Sequence, residues 1–338
     1  MSVWLAPIPR RRTSLSLRRH LALPSGIPGK DTFRRILGLL PPIAFQQCFQ
    51  QWLQTFQGPA EEDSGNKRHI AIDGKALRRS HDRKKGLGPM HIVSAWASDF
   101  GISLGQVATE EKSNEITAIP QLLALIDVED AIVTIDAAGC QKAIAAKIVE
   151  GKGDYVLALK GNQEKLFHDV ACLLDGHLHD DFAGCPVSRH IEVEQGHGRL
   201  ESRSYYQITA PSYLHERSKW KGLKTIGAAV RVYEEKGGEK RDVRYYVSSL
   251  RRNGQQFAKS VRNHWAIENT LHWSLDMTFR EDESRVRDRV FADNLSWLRR
   301  MTLSLIKQHP GKQSNIMKRR MAGWSVDFLL QILTGKHT

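Results

Sequence analysis

The sequence predicts an α/β protein: a mixed sheet flanked by helices, with a β-rich insert placed before a long helix near the C-terminus. Three observations predict it. Short apolar segments at His69–Asp73, Met90–Ser98 and Ile102–Thr109 follow one another across glycine-containing turns, as consecutive antiparallel strands do. Helical and strand patterns then alternate from Glu115 to Leu174, which indicates parallel crossovers covering one sheet. Between about Cys185 and Leu250 strand patterns resume with no helix between them.

In chain order, residues 1–16 contain Pro, Arg and Ser without periodicity and read as a disordered arm. Residues 17–66 read as a helical region and a linker. Phe33, Ile36, Leu37, Leu40, Phe45, Phe49, Trp52 and Phe56 recur at helical spacing, and Pro41-Pro42 divides them into two short helices. The polar stretch Gly58–Asn66 is the expected boundary. The core is expected in residues 67–182 and 251–308. After its first three strands come a helix at Glu115–Ile126, a strand at Ala131–Asp136, a helix at Gln141–Glu150, a strand at Tyr155–Leu159 and a helix at Gln163–Leu174. The insert, residues 183–250, has strand patterns at Ile191–Val193, Arg203–Ile208, Thr225–Tyr233 and Val243–Val247. A long helix is expected from about Gln255 to Ser274, then two more, the last within residues 309–338.

A chain of 338 residues with 41% hydrophobic residues can bury a sizeable core, which excludes disorder throughout. Lys and Arg outnumber Asp and Glu by 50 to 37, a net charge of +13 that favours a polyanionic partner, nucleic acid first. Cys48, Cys140, Cys172 and Cys185 have neither zinc-ribbon spacing nor the density of a disulfide scaffold, which suits a reducing cytosol. No apolar run approaches the roughly 18 residues of a membrane span, and the N-terminus lacks a signal peptide's apolar stretch. A soluble cytoplasmic protein without a membrane partner is the expectation.

Three acids carry the expected chemistry. Asp73 ends the first strand and Asp136 the fourth, and side chains at such strand ends converge in a crevice. Either Asp alone is equally explained as a turn starter. Glu268 falls within an apolar helical stripe formed by Phe257, Val261, Trp265, Leu271 and Leu275. An unpaired carboxylate buried there costs several kcal/mol, so it is expected to be paired, protonated or bound to a cation. His264 and His272, one turn to either side, are the alternative partners, making a buried Glu–His cluster. Three carboxylates suit a pair of Mg²⁺ or Mn²⁺ ions, and such a pair suits phosphodiester displacement. Zinc is disfavoured by the lack of His and Cys ligand spacing.

Several motifs, in order, resemble those of insertion-sequence DDE transposases of the ISAs type. They are Ile72-Asp73-Gly74-Lys75, Ile135-Asp136-Ala137-Ala138-Gly139-Cys140-Gln141-Lys142, Ala158-Leu159-Lys160-Gly161-Asn162-Gln163 and His264-Trp265-Ala266-Ile267-Glu268-Asn269. His272-Trp273-Ser274-Leu275-Asp276 and Phe279-Arg280-Glu281-Asp282 follow. The likeness runs from about Arg18 to the last helix. It implies a ribonuclease H-like catalytic core interrupted by the insert, with Asp73, Asp136 and Glu268 as the metal-binding acids. Wider relatives set a Tyr, an Arg and a Lys around the third acid, where this sequence has Val261, His264 and Leu275; Arg262 and His264 are the candidates to handle phosphate instead. Such proteins usually begin with a longer helical region, so the N-terminus reads as shortened.

The remaining DNA contacts are expected at Lys75, Arg78, Arg79, Lys160 and Asn162. Arg78-Arg79 and Arg83-Lys84-Lys85 follow Asp73 directly, although solvated faces explain such runs too, as they do Lys318-Arg319-Arg320. The loop Lys160-Gly161-Asn162-Gln163 opens a helix and suits a phosphate, or Asn162 is simply its cap. Gly26 to Asp31 is too short for a nucleotide phosphate loop. His197-Gly198-Arg199 reads as a tight hairpin turn or a DNA contact. Asp276, Glu281 and Asp282 are alternative third acids, otherwise surface partners of Arg285 and Arg287. The expected activity is cleavage at transposon ends and strand transfer into target double-stranded DNA by a homodimer assembled on DNA. A nuclease without strand transfer, or an inactive DNA-binding remnant that represses transposition, are the alternatives.

Overall fold

The computed structural model describes residues 22, 24–54, 67–110, 115–196, 199–235 and 238–336. The predicted arm at 1–16, the linker at 58–66 and the His197-Gly198 turn lie outside them. Helices α1 (Lys30–Leu39) and α2 (Pro42–Gln54) come first, divided as expected at Pro41-Pro42. Strands β1 (Arg68–Leu77), β2 (Met90–Ala97) and β3 (Ile102–Thr109) form the antiparallel start. Helix α3 (Glu115–Leu125), strand β4 (Ala131–Ile135), helix α4 (Lys142–Glu150), strand β5 (Asp154–Leu159) and helix α5 (Glu164–His179) supply the crossovers. Strands β6 (Val187–Gly196), β7 (Arg199–Thr209), β8 (Thr225–Glu235) and β9 (Gly238–Ser248) follow.

One nine-stranded sheet holds them all in the order β3-β2-β1-β4-β5-β9-β8-β7-β6, with β1–β4 and β4–β5 parallel. The insert is therefore no separate layer. Strand β9 pairs antiparallel with β5 from Val156↔Ser248 to Leu159↔Tyr245, which satisfies an edge that would otherwise present unpaired backbone groups. Strand β1 also differs from expectation, because it does not end at Asp73. Its parallel pairing with β4 stops at Ile72↔Ile135, but β2 continues alongside through Asp73↔Ser94 to Leu77↔Met90. Asp73 thus sits inside a strand, at the point where one neighbour leaves.

Alternate β1 residues face opposite layers. Ile70 and Ile72 pack beneath Ile119, Leu122, Ile144 and Ile148 of α3 and α4. Ala71 faces the other way, with Trp96, Ile267, Leu271, Leu275 and Leu303. Asp73 and Lys75 share that second face. Its cover is α6 (Gly254–Ala266), a π-helical turn at Ile267–His272, α7 (Trp273–Phe279) and α8 (Arg289–Gln308).

The long helix departs from its expected phase. Ile267 and Leu271 are fully buried, whereas Glu268 is exposed beside the apolar stripe. Ser260, Ser274 and Thr278 are buried as well. A stripe drawn through large apolar residues alone misses these small polar ones, and so it places the buried face too close to Glu268. The wider i→i+5 turn begins at Ile267, and such turns recur at functional sites. After α8 the chain forms two helices where one was expected, α9 (Asn315–Trp324) and α10 (Val326–Thr334). Ser325 separates them as an N-cap, its side chain accepting from the Phe328 amide. No helix among the described residues is long and apolar enough to cross a membrane.

Candidate active site

Asp136 leaves β4 into a 3₁₀ turn, where its Oδ1 accepts from the amides of Ala138 at 3.1 Å and Gly139 at 3.4 Å. Only a glycine fits at 139, because a Cβ there would lie 2.3 Å from Ile135 Cγ2. Asp136 and Glu268 line one cavity of about 280 Å³, together with Lys160, Arg244, His264 and Trp265. Asp73 lies largely buried beside it. Burial, then the charges of Asp136 and Glu268 among others, push its carboxyl from 3.8 up to about 7. The three acids are thus within electrostatic reach of one another.

The two histidines have other neighbours than Glu268, so the alternative of a buried Glu–His cluster does not form. His264 Nδ1 lies 3.2 Å from Thr134 Oγ1, and burial holds that imidazole down at about 4. His272 Nδ1 lies 3.5 Å from Asp73 Oδ2. Burial, with Arg300 and Lys75 nearby, pushes it down to about 3, and its buried Nε2 has no partner among the described residues. Both rings are neutral at physiological pH, so the acids have no imidazolium to compensate them.

Hard oxygen donors that repel one another suit a divalent cation such as Mg²⁺ or Mn²⁺. Among the described residues, however, no three His, Cys, Asp or Glu side chains are gathered closely enough to hold a metal ion. Asp136 has one oxygen committed to its own turn and Asp73 has one beside His272, which leaves each a second oxygen. The donor chemistry fits the cation, while the acids are not drawn together into a metal-sized group.

A pH dependence follows. Because the folded chain holds Asp73 protonated up to about 7, this group's contribution to stability is complete below 3.8 and is lost as pH rises through about 7. A bound cation would reverse that loss by favouring the ionised form. Scanning calorimetry should show Mn²⁺ raising the melting temperature little at pH 5 and progressively more through about 7, with a weaker slope in Asp73→Asn. A metal effect independent of pH would contradict the assignment.

The expected DNA contacts separate into three groups. Arg78, Arg79 and Lys160 are exposed, Arg78 with its Nε 3.2 Å from Asp282. Lys75 is not available: it is 9% exposed, and its Nζ donates to Asp276 Oδ1 at 2.8 Å and Asp282 Oδ1 at 2.6 Å, tying β1 to the chain after Glu268. Arg262 is bound to Glu192 and Glu194 of the insert. Asn162 is no helix cap, since its Nδ2 donates to the Ala137 carbonyl at 2.7 Å and straps the Lys160 loop to the Asp136 turn.

Two further expectations are corrected. Asp276 and Asp282 are bound by Lys75, not by Arg285 or Arg287, and Glu281 is fully buried against Arg300. In the Lys318-Arg319-Arg320 run, Lys318 is buried on the His309 carbonyl and Arg319 donates to the Thr278 carbonyl. Sequence reasoning missed Arg244. Its guanidinium lies 4.6 Å from the Trp265 ring, in the cavity of Asp136 and Glu268. Nothing in the sequence marked it, because β9 joins β5 through a contact distant along the chain.

The comparisons with known proteins agree with this architecture. The family model for the Transposase DDE domain matches residues 64–305, and the DDE_Tnp_1-associated model matches residues 10–53. "Putative transposase YncI" of Escherichia coli O157:H7 is 38% identical over 308 residues, covering 90% of this chain and 77% of that protein. "H repeat-associated putative transposase YhhI" of Escherichia coli strain K12 is 36% identical over 330 residues, covering 94% of this chain and 84% of that protein. The sheet order, with β2 antiparallel beside a parallel β1–β4–β5 core, is that of a ribonuclease H-like fold. The chain belongs to the Transposase DDE domain family.

Proposed function

We propose that this chain is an insertion-sequence transposase of the ISAs type, which cuts DNA at the ends of a mobile element and joins them to target DNA. Asp73, Asp136 and Glu268 carry both steps. The observation that carries this reading is the shared cavity of Asp136 and Glu268, with the Asp73 carboxyl beside it raised by burial first and then by the charges of both. Divalent ions, when bound, supply activation of the attacking oxygen and neutralisation of the leaving one. The chain's own part is to hold the three carboxylates in place: a strand interior positions Asp73, a capped turn Asp136 and a π-helical turn Glu268. Lys75 keeps the strand and the helix in register through Asp276 and Asp282. The protein acts in the bacterial cytosol, as a dimer when two element ends are brought together.

Arg244 takes the phosphate-holding role that wider relatives give to the helix of the third acid. Its Nε lies 3.2 Å from Asp242 Oδ2, while the guanidinium lies over the Trp265 ring and lines the cavity of Asp136 and Glu268. An Arg-to-phosphate contact of about 1.5–3 kcal/mol corresponds to roughly 10- to 100-fold in rate. Arg244→Ala should therefore lower cleavage by that factor, and Arg244→Lys should restore part of it; an unchanged rate would remove Arg244 from the site.

The overall test incubates the purified chain and Mg²⁺ or Mn²⁺ with duplexes carrying the element's termini, then adds target DNA. Cut ends that become joined are the expected products. Cutting without joining would favour a nuclease, and binding without metal-dependent turnover a repressor.

A further inference from the structure

Arg285 and Arg287 are left without the acids the sequence offered them. Segment 284–288 links a 3₁₀ turn to α8 with extended backbone at its two ends, Ser284 and Asp288, and along it Arg285 and Arg287 are exposed while Val286 between them is half-buried. Val286 packs inward with Leu77, Met90, Ile92 and Ala292. That anchor turns Arg285 and Arg287 outward. Opposite them stands α1, held to α8 by Asn294, whose Nδ2 donates to the carbonyls of Leu37 at 2.7 Å and Leu40 at 2.9 Å. Arg34 and Arg35 of α1 complete a cleft of about 1070 Å³.

Asp31 and Asp288 also line the cleft, and Asp288 Oδ1 is committed to capping the Phe291 amide at 2.8 Å. None of the four guanidiniums forms an ion pair with a carboxylate among the described residues. Four like charges on one cleft repel one another unless a polyanion joins them, and guanidinium forks match phosphate oxygens. Position adds a second argument. Arg285 follows Asp282 by three residues, and Asp282 grips Lys75, two residues beyond Asp73.

We propose that the cleft between α1 and segment 284–288 is a second docking site for the DNA backbone, with Arg34, Arg35, Arg285 and Arg287 seated on phosphates. The site steers duplex DNA toward the strand that carries Asp73. It rests on the transposase reading for its role, but its occupancy is measurable without any cleavage.

The test is fluorescence anisotropy of a labelled duplex of arbitrary sequence, titrated with the full chain over a range of salt. Arg285→Gln/Arg287→Gln and Arg34→Gln/Arg35→Gln should each reduce the slope of log affinity against log salt by about 2, and the quadruple variant by about 4. Lys152→Gln/Lys221→Gln removes the same charge as either double variant from an exposed face where both lysines pair with glutamates, and it should leave the slope near that of the wild type. Melting curves check that the variants fold; should the quadruple variant fail, the two doubles decide. A cleft variant whose slope matches the control overturns the proposal, as does unchanged DNA binding with lost binding of polyglutamate. If cleft-dependent binding persists but the wild type never cleaves DNA, the cleft stands and the transposase reading falls.

Discussion

Asp136→Asn should reduce metal-dependent DNA cleavage by about 10³-fold or more, equivalent to about 4 kcal/mol of transition-state stabilisation, while leaving the fold intact. The fold survives because an amide oxygen can still accept from the Ala138 and Gly139 amides, the two bonds that shape the turn after β4. The charge is what disappears. With it goes part of the repulsion that raises Asp73, so the Asp73 carboxyl in the variant should titrate below about 7. Two readouts therefore move together: strand cleavage collapses, and the pH at which Asp73 ionises, followed by carboxyl NMR, falls. Asp73→Asn and Glu268→Gln should match the loss of cleavage. If Asp136→Asn retains cleavage within tenfold of the wild type, Asp136 is not part of the reacting centre.

The acids differ in how far the sequence exposed them. Asp136 was legible in its own surroundings, because five buried residues at Ala131–Ile135 followed by Asp-Ala-Ala-Gly spell a strand and its exit turn. Asp73 has the same local appearance, yet β1 runs on to Leu77 because β2 goes on pairing with it, and local pattern does not contain that partner. At Glu268 the apolar pattern misstates the surroundings. The helix buries Ile267 and Leu271 around it and also hides Ser260 and Ser274, so an exposed carboxylate at the stripe's margin looked like a buried one.

Long-range ion pairs were the least legible. Lys75 meets acids 201 and 207 residues further along the chain. Arg244 reaches the cavity only because the insert continues the core sheet. A charge in a sequence reads as surface until its counter-ion is known, and counter-ions here come from other elements.

Glu281 is the extreme case, and it carries the largest expected effect on stability. Its side chain and that of Arg300 are both 0% exposed, with Arg300 Nη1 3.1 Å from Glu281 Oε1. Ser296 Oγ donates to the same carboxylate oxygen at 3.0 Å, and Arg300 Nε donates to Ser94 Oγ at 3.1 Å. Ser94 stands opposite Asp73 in the β1–β2 register, so the pair underlies the strand of the first acid. Removing one partner leaves an uncompensated buried charge, which costs about 3–5 kcal/mol. Glu281→Ala should lose that much in urea unfolding at neutral pH.

The pair is not fully satisfied, however. Glu281 Oε2 and Arg300 Nη2 are buried without partners among the described residues. Replacing both residues with Met removes these orphaned atoms along with the charges, so the double variant should regain most of the lost stability. Glu281→Met and Arg300→Met, measured beside that double variant, close a cycle whose coupling energy measures the interaction directly. Glu281→Ala within about 1 kcal/mol of the wild type would mean that water or a local rearrangement reaches Arg300, and that the pair does not hold α8 to the turn bearing Asp282.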